Sequence, residues 1–499
     1  MLAALETSSA FWPSFSRYGV RTVSSGGAAT STPTYANRSR ILVSTLTAVP
    51  DWLKHPVHHL RSSPFATNLV NLSGATALGG LIVIVASPLV ARLYSPSQFG
   101  SLGVFATTLS LVMVVAALRY DLAIPYPKQD AEAASVLIVA LLSIVLTSSL
   151  CALLILAGLP TLVPSLRDSL SGRLIWWLPI GMCASASYAA LSLWMVRRRD
   201  FATIGRTKVT QGVLQAGSQI LFGAIKLGAT GLIAGLILGS SAGVLRLWRQ
   251  VRRQDPHMFE QISTLGLIAT ARAYKRFPLY SSPAVLLDSA TGAMPLLFIA
   301  TQFGPASAGL FTLVQRVLAM PLALLTVNLG QLVFGDFAEL RRADPKSLMS
   351  IFRRRGFQVG FIGLAILLPM LFVVPLFLPR VFGERWRDAS MYLLILSPMI
   401  YAGFVSAPFG FVIDVLRRQD LHLLRDSVRA AVMAFALVIS AHVHAGWRAS
   451  LAIISFAGVV NGIVSLLVSR YAISSHARTD PGASIAAIDS PGLLSTNVP

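Results

Sequence analysis

Long apolar runs, each of about 20 residues, alternate along this chain with short polar strings that hold nearly all of its charge. The runs lack the period-two alternation of a barrel strand, so they predict helices, which satisfy their own backbone groups in lipid. The pattern places helices near 66–91, 101–119, 132–158, 174–195, 209–227, 229–248, 279–303, 306–333, 356–379, 389–413, 428–445 and 448–471. The expected fold is therefore an all-α polytopic membrane protein with about twelve transmembrane helices.

The longest interior connection runs from Leu247 to Phe277 and divides these helices six and six. An even number per half gives both halves the same orientation, as in parallel repeats about an axis along the membrane normal. A short internal match fits that symmetry: Pro96 to Gly100 followed by Phe105, and Pro305 to Gly309 followed by Phe311. Each falls in the outer turn between the first and second helices of its half. The expected organisation is a six-helix half over 65–248, a cytoplasmic linker over 249–276 and a second half over 277–472. The amphipathic part of the linker would lie along the membrane surface. Residues 1–64 are Ser/Thr-rich, with Glu6 and Asp51 as their acids, and 473–499 form a polar tail. Both read as unstructured; an organellar transit peptide has a composition like that of the N-terminal extension, and a start assigned too early would also account for it.

Composition agrees with the pattern. The chain is 54% hydrophobic and 12% charged, with mean hydropathy +0.68, against roughly a quarter charged in soluble domains. A net charge of +21 invites a nucleic-acid reading, which the distribution of the charge removes. Of 41 Lys and Arg, 32 fall on one side of the expected membrane and 8 on the other, leaving Arg316 inside a helix. That bias places both termini in the cytoplasm. The basic clusters at 197–208, 246–254 and 341–355 read as topology anchors with some anionic-lipid contact. Cys151 and Cys183 have no metal-ligand spacing, so neither a disulfide framework nor a metal site is expected.

No nucleophile elbow, P-loop or HExxH string occurs, which favours a transporter over an enzyme. Two intramembrane charges stand out. At about 1.5 Å per residue, Asp288 in the seventh helix and Arg316 in the eighth both lie near the midplane. Arg316, with Gln315 and Thr312, offers a guanidinium fork to a phosphate. Asp288 offers a proton or Na⁺ site; the alternative for the pair is a buried ion pair stapling the two helices. Gln211, Gln215, Ser218 and Gln219 share one face of the fifth helix, and Asn68 and Asn71 form a weaker patch on the first. Such stripes hydrogen-bond sugar hydroxyls, or else glue helix to helix. Gly231, Gly235, Gly239 and Gly243 repeat every fourth residue in the sixth helix, for tight packing or for a surface on which the halves rock.

The strings RLYSPSQFG (92–100), RYDLAIPYPK (119–128), YKRFPLYSSPAVLLDSATGAMPLL (274–297), GPASAGLFTLVQRVLAMPLALL (304–325) and FGERWRDASMYLLILSP (382–398) resemble the oligosaccharide flippases of polysaccharide biosynthesis. These are O-antigen, Wzx-type translocases of the multidrug, oligosaccharidyl-lipid and polysaccharide exporter superfamily. The resemblance spans about residues 64 to 472 and implies a MATE-like bundle in a bacterial inner membrane. It implies translocation of an undecaprenyl-diphosphate-linked oligosaccharide for O-antigen, capsule or exopolysaccharide synthesis; no cofactor is expected, and Asp288 leaves H⁺ or Na⁺ coupling open. Its partners would be the lipid-linked oligosaccharide, the bilayer, and a polysaccharide polymerase with its chain-length regulator. A multidrug/cation antiporter of the same superfamily and a membrane polymerase or ligase are the alternatives. RLYSPSQFG reads as the outer turn, with Pro96 stopping the helix and Gly100 permitting the reversal. RYDLAIPYPK reads as the inner turn, anchored to headgroups by Arg119 and Lys128.

Overall fold

A computed structural model describes residues 64–159, 164–170, 172–254, 263–275, 277–278, 282–343, 347–416 and 418–479. The N-terminal extension up to residue 63 and the tail beyond residue 479 lie outside the described residues.

The described chain is helical nearly throughout. The first half comprises α1 (Pro64–Leu93), α2 (Pro96–Ala116), α3 (Asp130–Leu156), α4 (Trp177–Arg197), α5 (Phe201–Ala224) and α6 (Ala229–Ser241), followed by the short amphipathic α7 (Val244–Gln254). The linker contains α8 (Thr264–Ala273). The second half comprises α9 (Ser282–Val314), α10 (Met320–Ala343), α11 (Leu348–Phe382), α12 (Ala389–Ser406), the short α13 (Gly410–Val415), α14 (Gln419–His442) and α15 (Trp447–Thr479). Helix α15 thus continues past the expected boundary at residue 472.

Among the described residues, nine helical stretches are long and apolar enough to cross a membrane, fewer than the twelve expected. One stretch, Val285–Arg341, is 57 residues long and contains a break at Gly304, whose φ of 81° ends one helix before Pro305 starts the next. Helices α5 and α14 occupy the fifth and eleventh expected positions. Their glutamines, arginines and aspartates keep them below that measure of apolarity. The protein is a multi-pass membrane protein with a helical-bundle fold.

Local chemistry explains the turns, and it corrects two sequence readings. Ser95 caps α2: its hydroxyl accepts from the Gln98 N–H while the Gln98 side chain accepts from the Ser95 N–H, a capping box completed by Pro96 at the first helical position. The reversal is finished before Gly100, which lies buried inside α2 and serves close packing instead. In the RYDLAIPYPK turn, Leu118 and Arg119 take left-handed φ values of 47° and 61°. Arg119 is buried rather than anchored in headgroups, its Nε unpartnered. Burial pushes the neighbouring Asp121 carboxyl above the usual carboxylate range, with the Arg119 charge opposing it. The carbonyls of Pro125 and Pro127 accept from Arg197, which also pairs with Asp130 at 2.7 Å.

Within the first half α1 packs on α5 and α5 on α6; within the second α12 packs on α15 and α14 on both α15 and α9. The α6 glycines lie against α5: a methyl group at Gly235 or Gly239 would press into Gln219 or Gln215. Linker helix α8 sits on the first half, where the Tyr120 hydroxyl donates to the Ala271 carbonyl and the Tyr274 hydroxyl to Glu132 Oε1. The most extensive helix pair joins the halves, α2 against α9.

Candidate functional site

The seam between the halves begins where the two matching Pro-to-Gly strings meet. Gly100 of α2 faces the Pro305 carbonyl, and Gly309 of α9 faces the Pro96 carbonyl; a methyl group on either glycine would overlap that oxygen. The contact is reciprocal, as a pseudo-two-fold between repeats requires. Only a residue without Cβ lets two backbones cross this closely.

Around that crossing, the end of the bundle away from the Arg clusters is cross-linked. Arg92 of α1 donates from Nη2 to the Arg380 carbonyl (2.6 Å) and from Nε to the Val381 carbonyl (2.9 Å), satisfying the last turn of α11. Trp386 Nε1 donates to the Ala91 carbonyl at 2.9 Å, and its fully buried ring meets Phe99 edge-on.

Further along the seam lies Arg316. It sits in a five-residue π-turn, Gln315–Ala319, between α9 and α10. A wider turn of this kind displaces the register of the side chains it carries and recurs at functional sites. The Arg316 side chain leaves the second half and enters the first. Its Nη2 donates to Gln219 Oε1 of α5 at 3.2 Å and reaches the Val83 carbonyl of α1 at 3.5 Å. Its Nε is buried with no hydrogen-bond partner among the described residues. Gln219 is fully buried and fixed in the orientation that presents Oε1 to the guanidinium. Its Nε2 donates to the Leu232 carbonyl of α6, and its own backbone carbonyl accepts from the Tyr94 hydroxyl.

The structure brings together only some of the residues that the sequence grouped. Arg316 meets Gln219, but Gln315 is exposed and Thr312 turns its hydroxyl onto the Ala308 carbonyl, against Gly103 of α2. Gln211 donates to the Ser240 and Ala242 carbonyls beside α6 and accepts from Lys208, whose ammonium lies 4.8 Å from the centre of the Tyr188 ring. Gln215 packs against Gly239. Asn68 and Asn71 fall in α1, and their side chains lie outside the described residues.

Asp288 corrects the ion-pair alternative. Its partner is Arg429 of α14 at 3.1 Å, not Arg316. Arg429 also reaches Asp426 at 3.4 Å, and Asp426 binds Arg425 at 2.9 Å and His422 at 3.1 Å. Asn461 of α15 donates to the Arg429 carbonyl. A helix start at residue 428, where the apolar pattern places it, puts Arg425 and Arg429 at the inner headgroups. The helix instead begins at Gln419, beside an Arg418–Asp420 pair. The spacing of His422, Asp426 and Arg429, four and three residues apart, was the signal in the sequence. Among the described residues no group of His, Cys, Asp and Glu has the geometry to hold a metal ion.

Comparison with known proteins supplies the family. A model described as "Polysaccharide biosynthesis protein" matches residues 89–391. The chain belongs to this polysaccharide biosynthesis family. The match includes the crossing strings, Arg316, and the Arg92 and Trp386 contacts across the seam. Among curated relatives, the teichuronic acid biosynthesis protein TuaB of Bacillus subtilis is 20% identical over 53% of this chain and 52% of its own length. The lipopolysaccharide biosynthesis protein WzxC of Escherichia coli is 23% identical over 40% of each chain. The chain thus spans about half the length, or less, of these curated relatives. Among solved structures, an inward-facing multidrug resistance MATE family transporter of the MOP superfamily superposes with TM-score 0.65 at 17% identity, covering 83% of this chain and 99% of that one. A Vibrio cholerae MATE transporter gives TM-score 0.51 at 16% identity, covering 84% and 98%. The fold is MATE-like.

Proposed function

We propose that this polysaccharide-biosynthesis membrane protein flips an undecaprenyl-diphosphate-linked oligosaccharide repeat unit across a bacterial inner membrane by alternating access, with both termini cytoplasmic. The observation that carries the reading is Arg316. A buried guanidinium that crosses between the halves, holds one amide and keeps Nε unpartnered is costly unless an anion completes it. A diphosphate supplies that anion and matches the planar fork. The α1 asparagines would serve the glycan, the Gln stripe being taken up by α6 carbonyls that join α5 to α6, and the polyprenyl tail would stay in lipid. Asp288, tied to Arg429, is the proposed proton- or Na⁺-responsive group. A polymerase and its chain-length regulator would receive the product.

A polymerase or ligase chemistry finds no support in the site, whereas an antiporter's amphipathic cations would be repelled by Arg316. The test removes the gene while leaving the first sugar transferase intact, then extracts lipid-linked oligosaccharides and blots surface polysaccharide. The expected result is accumulation of single unpolymerised units on the cytoplasmic side with loss of surface polymer. Unchanged glycans in a strain with no second flippase would overturn the proposal.

A further inference from the structure

A second cationic site lies outside the seam, at the basic end of the first half. Helix α7 turns Leu247 and Val251 fully inward and lays Trp248 beside them. Its opposite face carries Arg246, Arg249 and Arg253, which fall three and four residues apart and so project from one side. None of the three has a hydrogen-bond or ion-pair partner among the described residues, whereas Arg252 is occupied, 5.4 Å from the centre of the Trp248 ring. Residues 201–254 contain no Asp or Glu; the flanking acids are Asp200, which caps α5 through Thr203, and Asp255.

The three arginines are exposed, and with Thr207 and Thr210 of α5 they line an open cavity of about 600 Å³. The backbone builds it: Gly243, at φ 97°, breaks α6 from α7 and lies against Thr207 of α5, while α7 packs on α4. The cavity also has an apolar side. Leu245 at its wall is 68% exposed, and Leu214, one helical turn beyond Thr210, is 41% exposed. Three guanidinium groups at the polar end and exposed leucines toward the apolar end suit an amphiphile with an anionic head better than a free anion.

We propose that this cavity binds the phosphate headgroup of a lipid in the leaflet at the basic end, with Arg246, Arg249 and Arg253 on the phosphate and the lipid chain along Leu245 and Leu214. The site is separate from Arg316 and does not depend on what the seam transports. Three juxtamembrane arginines acting together give selectivity for anionic over zwitterionic headgroups, and their loss weakens binding on the order of a hundredfold.

The test measures lipid retention on the purified full-length protein by native mass spectrometry, titrating phosphatidylglycerol, phosphatidylcholine and a short-chain polyprenyl diphosphate, with inorganic phosphate as the free-anion arm. The triple variant Arg246→Gln/Arg249→Gln/Arg253→Gln should lose retention of phosphatidylglycerol, of the polyprenyl diphosphate, or of both, and which one is lost names the lipid. A second variant, Arg252→Gln/Arg353→Gln/Arg354→Gln, removes the same charge from α7's occupied arginine and from the start of α11. It should keep retention within about fivefold of the parent and so guards against a general charge effect or misfolding. Equal retention by parent and triple variant, equal loss in the two variants, or protection by inorganic phosphate with no lipid preference would each overturn the proposal.

Discussion

The two ends of the bundle are held together in different ways. At the end bearing Pro96 and Pro305 the contacts cross from half to half: reciprocal glycine–carbonyl crossings, the Arg92 clamp on the last turn of α11, and Trp386 on Ala91. At the basic end the named polar pairs stay inside one half each. Arg197 holds Asp130 in the first, with the linker's Tyr274 on Glu132; Arg355 holds Asp336 and Arg341 reaches the Val415 carbonyl in the second, where Arg429 also holds Asp288 deeper along α14. Under the proposed alternating access, contacts that cross a seam must break, while contacts inside a half survive the motion. The pairs therefore stiffen two bodies, and the crossing contacts set how tightly those bodies close at one end. Arg316 lies between the two regimes, since its hold on Gln219 is a polar contact across the seam away from both ends.

The largest effect is expected at that point. Arg316→Ala should abolish surface polymer while the protein still inserts, and Arg316→Lys should restore only part of it, because an ammonium lacks the planar fork. A polysaccharide blot beside a membrane-fraction immunoblot reads both; full activity of the Ala variant would take Arg316 out of the mechanism. Next comes the crossing itself. Gly100→Leu or Gly309→Leu drives a side chain into a carbonyl and should cost roughly 1–3 kcal/mol of closure. The reporter is a cysteine at Ala308, a fully buried position at the seam, in a chain lacking Cys151 and Cys183. Labelling by a membrane-impermeant maleimide should rise at least several-fold in either glycine variant, and unchanged labelling would mean that the crossing does not hold this end shut.

How much of this is legible in the sequence follows from the range of the forces involved. Hydrophobic runs and the Lys/Arg bias are local and cumulative, so the helical membrane fold can be read directly, and the Pro96/Pro305 match points to the place where the halves meet. Gly100 reads as a turn residue because a glycine after a proline looks the same whether it makes a turn or admits a neighbour. Only the facing Pro305 carbonyl, some two hundred residues away in the chain, distinguishes the two. Arg316 stands out because a lone intramembrane charge is costly wherever it lies. The true partner of Asp288 does not, because Arg316 is nearer in sequence and Arg429 is hidden by a helix start placed nine residues late. Grouping Gln315 and Thr312 with Arg316 assumes regular helix geometry, and the π-turn removes that regularity.

A contrast between the two regimes comes from paired neutralisations. Asp288→Asn loosens a pair inside the second half, leaving Arg429 with Asp426; Arg92→Ala removes two charge-assisted bonds across the seam. Each is worth about 1–3 kcal/mol at most, less for the exposed Arg92. Arg92→Ala should raise Ala308→Cys labelling a few-fold, whereas Asp288→Asn should leave labelling near the parent. Equal labelling in both would erase the distinction between stitching and stiffening.

The smallest expected effect isolates one bond. Trp386→Phe keeps an aromatic ring against Phe99 but removes the indole N–H that satisfies the Ala91 carbonyl. With the ring packing largely preserved, the loss should be about 1 kcal/mol, hence roughly a fivefold rise in the open fraction at this end. Trp386→Ala removes the ring as well and should exceed it by a few kcal/mol, enough to threaten folding, so the Phe variant is the informative one. If Trp386→Phe labels as the parent does, the Trp386 contact is packing alone, and the closure at this end rests on the glycine crossing and Arg92.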